Sequence, residues 1–171
     1  DSGFQKAYIL ESRMFSEYEH WLSDIRKRDS QLRRIVRYLK AWGDELRGDM
    51  PPGIVMTILA AENYIPDDRD DICLKETLEG IRDYLDSNGF RCLRPTIPEG
   101  EDLFASYSDT KKAYFSDRLD SFINSANQAL SSNNELDACL KWQRHLGNRF
   151  PCFLAKNEVT GAETHKNKPI L

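Results

Sequence analysis

Arg33, Arg37 and Lys40 step by four and then by three, so a helix would set all three cations on one face. Guanidinium and ammonium groups aligned in this way suit a polyphosphate, because each phosphate oxygen can take a charge-assisted hydrogen bond. Arg34 stands beside them, and residues 26–47 hold eight Lys or Arg in all. A solvated face that pairs with acidic neighbours is the alternative, and charge spacing alone favours it. A second candidate is the run Pro95-Thr96-Ile97-Pro98-Glu99-Gly100-Glu101-Asp102. Its carboxylates could accept hydrogen bonds from a nucleobase amino or imino group. The alternative there is an ordinary surface loop, or Asp102 capping a short helix. Asp67, Asp68, Asp70 and Asp71 form an acidic cluster without the turn glycine and closing Glu of a calcium loop. It reads as solvent loop and helix cap. No nucleophile motif frames a Ser, His or Asp, and no Gly-rich phosphate loop is present.

These residues need elements to position them, and the pattern supplies helices. Residues 1–11 have no clear period, and Arg13 to Ser23 is weakly helical through Met14, Tyr18, Trp21 and Leu22. Ser30 is placed to cap the basic helix Gln31–Arg47. In that helix Leu32, Ile35, Val36, Leu39 and Leu46 form an apolar stripe with Trp42 near it. Gly48 and Pro51-Pro52-Gly53 end it. Ile54–Tyr64 is nearly all apolar and is expected as a central buried helix. Ile72–Asp86 is amphipathic, and Phe90–Phe104 is an irregular loop of a length that often carries function. Ser108-Asp109 opens a helix to Leu130, and Asn133-Asn134 opens the last one, closed by Gly147 and Pro151. The expected fold is all-α: a helical bundle over 1–154, followed by a polar, flexible tail over 155–171.

Composition narrows the class. The chain has 171 residues, enough for one domain, with 40% hydrophobic and 30% charged residues and a net charge of −4. A generally basic nucleic-acid binder is disfavoured, and no apolar run approaches the length of a membrane span. The opening Asp1-Ser2-Gly3 has neither an initiator Met nor a secretory apolar region, so the chain is expected to begin inside a longer protein. Cys73, Cys92, Cys139 and Cys152 form no CxxC pair, and the three histidines are equally scattered, so a zinc site is not expected. Three of the cysteines sit among apolar neighbours and read as buried thiols. With no secretion signal, a reducing cytoplasm is expected.

Three segments in order carry a family resemblance. They are LRRIVRYLKAWGDELRGDMPPGIVMTILAAENY (32–64), PEGEDLFASYSDTKKAYFSDRLDSFINSANQAL (98–130) and LKWQRHLGNRFP (140–151). Together they resemble the C-terminal half of the cGAS/DncV-like nucleotidyltransferases, the CD-NTases of bacterial CBASS antiphage systems. The resemblance runs from about residue 13 to 152. It implies the helical lobe of a two-lobed synthase that joins nucleoside triphosphates into cyclic di- or trinucleotides. It implies that magnesium is held by an N-terminal catalytic lobe, and that this half alone is inactive. Lys40 is then expected at the triphosphate, with Arg37 on its face, and Glu99 near a base. The family's usual serine after the break is replaced here by Pro51-Pro52-Gly53, so a backbone N–H at Gly53 or Ile54 is expected to substitute. A ubiquitin-transferase-like CBASS partner acting on the C-terminus is a further expectation. A membrane or nucleic-acid partner is not. The alternative is a non-catalytic nucleotide-binding or regulatory module with the same helical fold.

Overall fold

A computed structural model describes residues 2–155, and within them the chain is all-helical. The helices are α1 (Ser2–Arg28), α2 (Ser30–Leu46), α3 (Gly53–Asn63), α4 (Asp70–Ser87), α5 (Asp109–Ser131) and α6 (Glu135–Leu146), followed by a 3-10 turn, Cys152–Leu154. Beyond Ala155, the expected tail and its conjugation lie outside the described residues. Among the described residues, no helix is long and apolar enough to cross a membrane.

The centre is α3, where Val55 to Ala61 are all buried. A helix that is apolar on every side must be enclosed, and α2 and α4 do so. Trp42, one residue off the expected stripe, sits at the heart of the core, 1% exposed. Its ring lies 5.8 Å from Phe115 and 5.2 Å from Phe122. Ser108 and Asn134 cap α5 and α6 as their sequences suggest, accepting from the Lys111 and Asp137 amides.

Three expectations need correction. Asp29, not Ser30, caps α2: it has the extended φ of −158°, and its carboxylate accepts from the Gln31 amide at 2.7 Å. Residues 1–11 show no period, yet from Ser2 onward they are helical, because α1 runs unbroken with no Gly or Pro after Gly3 to stop it. Cys139 and Cys152 are not thiols: they form a disulfide between α6 and the 3-10 turn. Only Cys73 and Cys92 remain as buried thiols, and burial pushes them up to about 11 and about 12.

The α5–α6 contact contains a buried titratable pair. His145 stacks on Phe122 at 4.7 Å and shares a 2.8 Å hydrogen bond with Ser125 Oγ. Burial first, then Arg144 and Arg118, pushes its pKa down from 6.5 to about 4. The folded chain therefore refuses a proton that the unfolded chain accepts. Stability is complete above about pH 6.5, falls as pH drops toward 4, and the loss is on the order of 2–3 kcal/mol. The carboxylates held low, Asp29, Asp70 and Asp137, act only below their ordinary value of 3.8 and so fall outside this window. Urea midpoints taken from about pH 7 to about pH 4.5 should drop in the wild type, and His145→Gln should flatten the slope. An unchanged slope in the variant would assign the acid sensitivity elsewhere.

Candidate functional site

The basic helix α2 has two ends with different electrostatic fates. At its N-terminus, Arg34 is committed: Nε donates to Asp70 Oδ2 at 2.6 Å, and the guanidinium also donates to Oδ1 at 2.9 Å. Gln31, 9% exposed, extends this network. Its amide nitrogen donates to the Asp67 carbonyl at 2.6 Å and to Asp70 Oδ1 at 3.0 Å. Its amide oxygen accepts from the Asp67 N–H at 3.2 Å. The Tyr64 phenol donates to Asp29 Oδ2 at 2.9 Å. That bond, then the Gln31 amide, holds the Asp29 carboxyl below its ordinary value, while burial first and then Asp29 raise the Tyr64 phenol. The acidic cluster is thus half solvent loop, as expected, and half a clamp that joins the start of α2 to the loop before α4.

At the other end, Lys40 lies beside the start of α3. A Cβ built on Gly53 would stand 3.4 Å from Lys40 Cε and 4.0 Å from Nζ. Both residues line a surface cleft of about 410 Å³, together with Gly43, Asp44, Arg47 and Met50. The cleft exists because Arg47 closes α2 in a left-handed conformation, φ 52°, donating its N–H to the Gly43 carbonyl. The chain then reverses through Gly48–Pro52. Pro52 occupies the cap position of α3 and offers no side-chain acceptor, so no side chain caps the first amides of that helix. Among the described residues no carboxylate pairs with Lys40. An ammonium, a second cation at Arg47 and open helix amides can together bind an anion, with Asp44 as the one opposing charge.

The other expected residues are not brought here. Arg37 is exposed and lies outside the cleft. Glu99 is exposed on the 90–104 loop and lines none of the cavities. That loop is irregular as expected, and its carboxylates are sorted. Asp102 Oδ1 accepts from the Cys92 and Phe104 amides, both at 3.0 Å, and Glu101 pairs with Arg94 at 2.7 Å. Asp102 therefore stitches the loop closed, which leaves Glu99 as its uncommitted carboxylate. The loop also touches α1, where the Ile97 amide donates to Glu17. Arg47 and Asp44 were not singled out from sequence, yet they follow Lys40 by seven and four, the spacing that predicts a shared face. The tryptophan of Lys-Ala-Trp is core, and its indole N–H is buried without an acceptor among the described residues. No group of three His, Cys, Asp or Glu there is placed to hold a metal ion.

Compared with models of known protein families, the chain matches none. The split of α2 into a clamped end and an open end makes its own prediction. Asp70→Ala should cost about 1–3 kcal/mol in chemical unfolding, since it strands Arg34 and Gln31 together. Because the clamp sits at the opposite end of α2, the same variant should leave tripolyphosphate affinity at the Lys40 cleft within about twofold. A large loss of affinity would join the two ends into one site.

Proposed function

We propose that this chain is the helical lobe of a nucleotidyltransferase that joins nucleoside triphosphates into cyclic di- or trinucleotides in antiphage defence. In this reading the Lys40 cleft receives the triphosphate. The observation that carries it is the placement of Lys40: an ammonium with no carboxylate partner, folded over the uncapped start of α3. Phosphate oxygens would meet a point charge and backbone N–H donors together, and Arg47 would add a second cation at the rim. The substitution of Pro51-Pro52-Gly53 for the family's serine is then tolerable, since the helix amides supply the missing donors.

The outer half of α1 also supports the reading. Phe4, Tyr8, Glu11, Phe15, Tyr18, Leu22 and Ile25 alternate steps of four and three, so they form one seam. Its inner end is packed, with Leu22 and Ile25 at 8% and 7% exposure. Its outer end is bare, with Phe4, Tyr8 and Phe15 at 75%, 65% and 68%. A seam that buries one end and exposes three aromatic rings at the other fits an additional body against α1. In this reading that body is the N-terminal catalytic lobe. It would carry the carboxylates that hold magnesium and activate the attacking hydroxyl, and the chain without it is inactive. A cytoplasmic setting and a ubiquitin-transferase-like partner acting on the C-terminus belong to the same proposal. A second reading, a non-catalytic nucleotide-binding module, draws on the missing serine hydroxyl. Finding, or not finding, a catalytic lobe with metal-binding carboxylates in the same protein would decide between the two.

In the intact enzyme, Lys40→Ala should lower kcat/KM for product formation by about 10–100-fold, the size of a lost charge-assisted contact. Arg37→Ala, outside the cleft, should lower it by less than about threefold. A wild-type rate for Lys40→Ala removes Lys40 from the site. Phe4→Asp, Tyr8→Asp and Phe15→Asp combined should leave the melting of the 171-residue chain nearly unchanged, because all three rings are exposed. In the intact protein the same triple variant should abolish synthesis and expand the molecule in small-angle scattering. An active, compact triple variant would mean that the seam serves something other than the second lobe.

A further inference from the structure

The segment that ends the described chain is held in an unusual way. After Phe150, whose carbonyl accepts from Gln143 Nε2 at 2.9 Å, the hydrogen bonds among the described residues are internal to the segment. The Cys152 amide donates to the Phe150 carbonyl, and the Ala155 amide donates to the Cys152 carbonyl. The apolar side chains do little to hold it, since Phe153 and Leu154 are 86% and 74% exposed. Among the described helices only α6 meets the 3-10 turn closely, and the covalent link between them is Cys139–Cys152. The same segment walls a cavity of about 570 Å³. It is open to solvent: Leu74 of α4, Leu130 of α5, and Trp142 and Leu146 of α6 form its apolar side, Arg69, Asp71 and Glu135 lie at its polar side, and Phe150, Pro151 and Leu154 form one wall.

We propose that Cys139–Cys152 is a reducible latch: reduction by a dithiol frees the segment after Phe150 from α6 and removes one wall of this open cavity, baring its apolar side, while the six helices stay folded. The attacking thiolate meets Cys139 Sγ, the less buried partner, and the S–S bond breaks. Cys152 leaves as a thiolate and takes a proton from water. The second thiol of the reductant then displaces Cys139, which also leaves as a thiol, and closes the reductant's own disulfide. Two electrons and two protons pass from the dithiol to the protein. The helices survive because α6 is anchored without the disulfide: Trp142, His145 and Leu146 remain buried against α5 and α2. Cys73 and Cys92 do not compete in the exchange, since both are fully buried thiols. The latch does not involve the Lys40 cleft, and its test is independent of that reading.

The experiment uses the full 171-residue chain with and without dithiothreitol. Without reductant, Cys139 and Cys152 should resist iodoacetamide; with it, both should be alkylated. Chymotryptic cleavage after Phe153 should speed up at least about tenfold on reduction, because cleavage requires the segment to leave α6. Cys139→Ser should cleave at the fast rate in either condition, and the helical circular dichroism should be unchanged throughout. Equal cleavage rates in the two redox states would overturn the latch. So would free Cys139 and Cys152 thiols in the unreduced chain. A loss of helical signal on reduction would also overturn it, making the disulfide a staple of the whole fold.

Discussion

The rest of the molecule is arranged around the enclosure of α3. Seven consecutive residues, Val55 to Ala61, are buried, so no side of this helix can face water. Two helices must therefore flank it, and the short connection from Arg47 to Pro52 forces α3 to start beside the last turn of α2. Lys40 is delivered to Gly53 by this packing and not by any contact of its own. The cleft is a by-product of burial: the apolar stretch must go inside, its first residue stays at the surface, and Pro52 leaves the opening amides without a cap. Apolar burial is non-directional, and the polar geometry is set by where the buried helix begins and ends.

The second constraint acts at the opposite end of α2. Gln31 is buried, and a buried amide without partners would be costly. Asp67, Asp70 and Tyr64 supply those partners, which ties the α1–α2 junction to the loop before α4. This clamp takes up Arg34 and half of the acidic cluster. The basic helix is therefore not a uniform positive face. One cation is neutralised in a clamp, Arg33 and Arg37 are solvated, and Lys40 with Arg47 faces a cleft. The bland reading of such a face holds for most of it. The exception is the turn where a helix end meets a helix start.

Local signals were legible and long-range ones were not. Ser108 and Asn134 could be read as caps because a cap bonds an amide two or three residues on. The cap of α2 was misplaced by one because Asp29 and Ser30 are both good acceptors, and only the extended φ of Asp29 decides between them. Residues 1–11 gave no clear period because Ile9 and Leu10 put apolar side chains off the line of Phe4 and Tyr8, and the seam emerges only when α1 is followed as one helix to Ile25. The pairing of Cys139 with Cys152 depends on the chain reversing at Gly147. There φ is 88°, a left-handed conformation that favours glycine. Neither cysteine's neighbours in sequence carry that information. The sorting of Glu99, Glu101 and Asp102 was equally invisible, since it rests on which of three adjacent carboxylates meets Arg94 or the Cys92 and Phe104 amides.

Lys40 and Tyr38 lie only two residues apart on α2 yet line different cavities, the cleft at the start of α3 and the open cavity beside the disulfide. Two residues turn a helix by roughly 200°, so the side chains leave on nearly opposite sides. Between those sides lies the core stripe of Ile35, Val36, Leu39 and Trp42, each 8% exposed or less. Coupling across it would require α2 to have two packed arrangements, because close-packed interiors are bistable at best and do not deform continuously. Nothing loosens α2 in that way: Asp29 caps its start, the Arg47 amide closes its end on Gly43, and Asp70 grips its first turn. The cleft and the cavity are therefore separate features of one rigid helix.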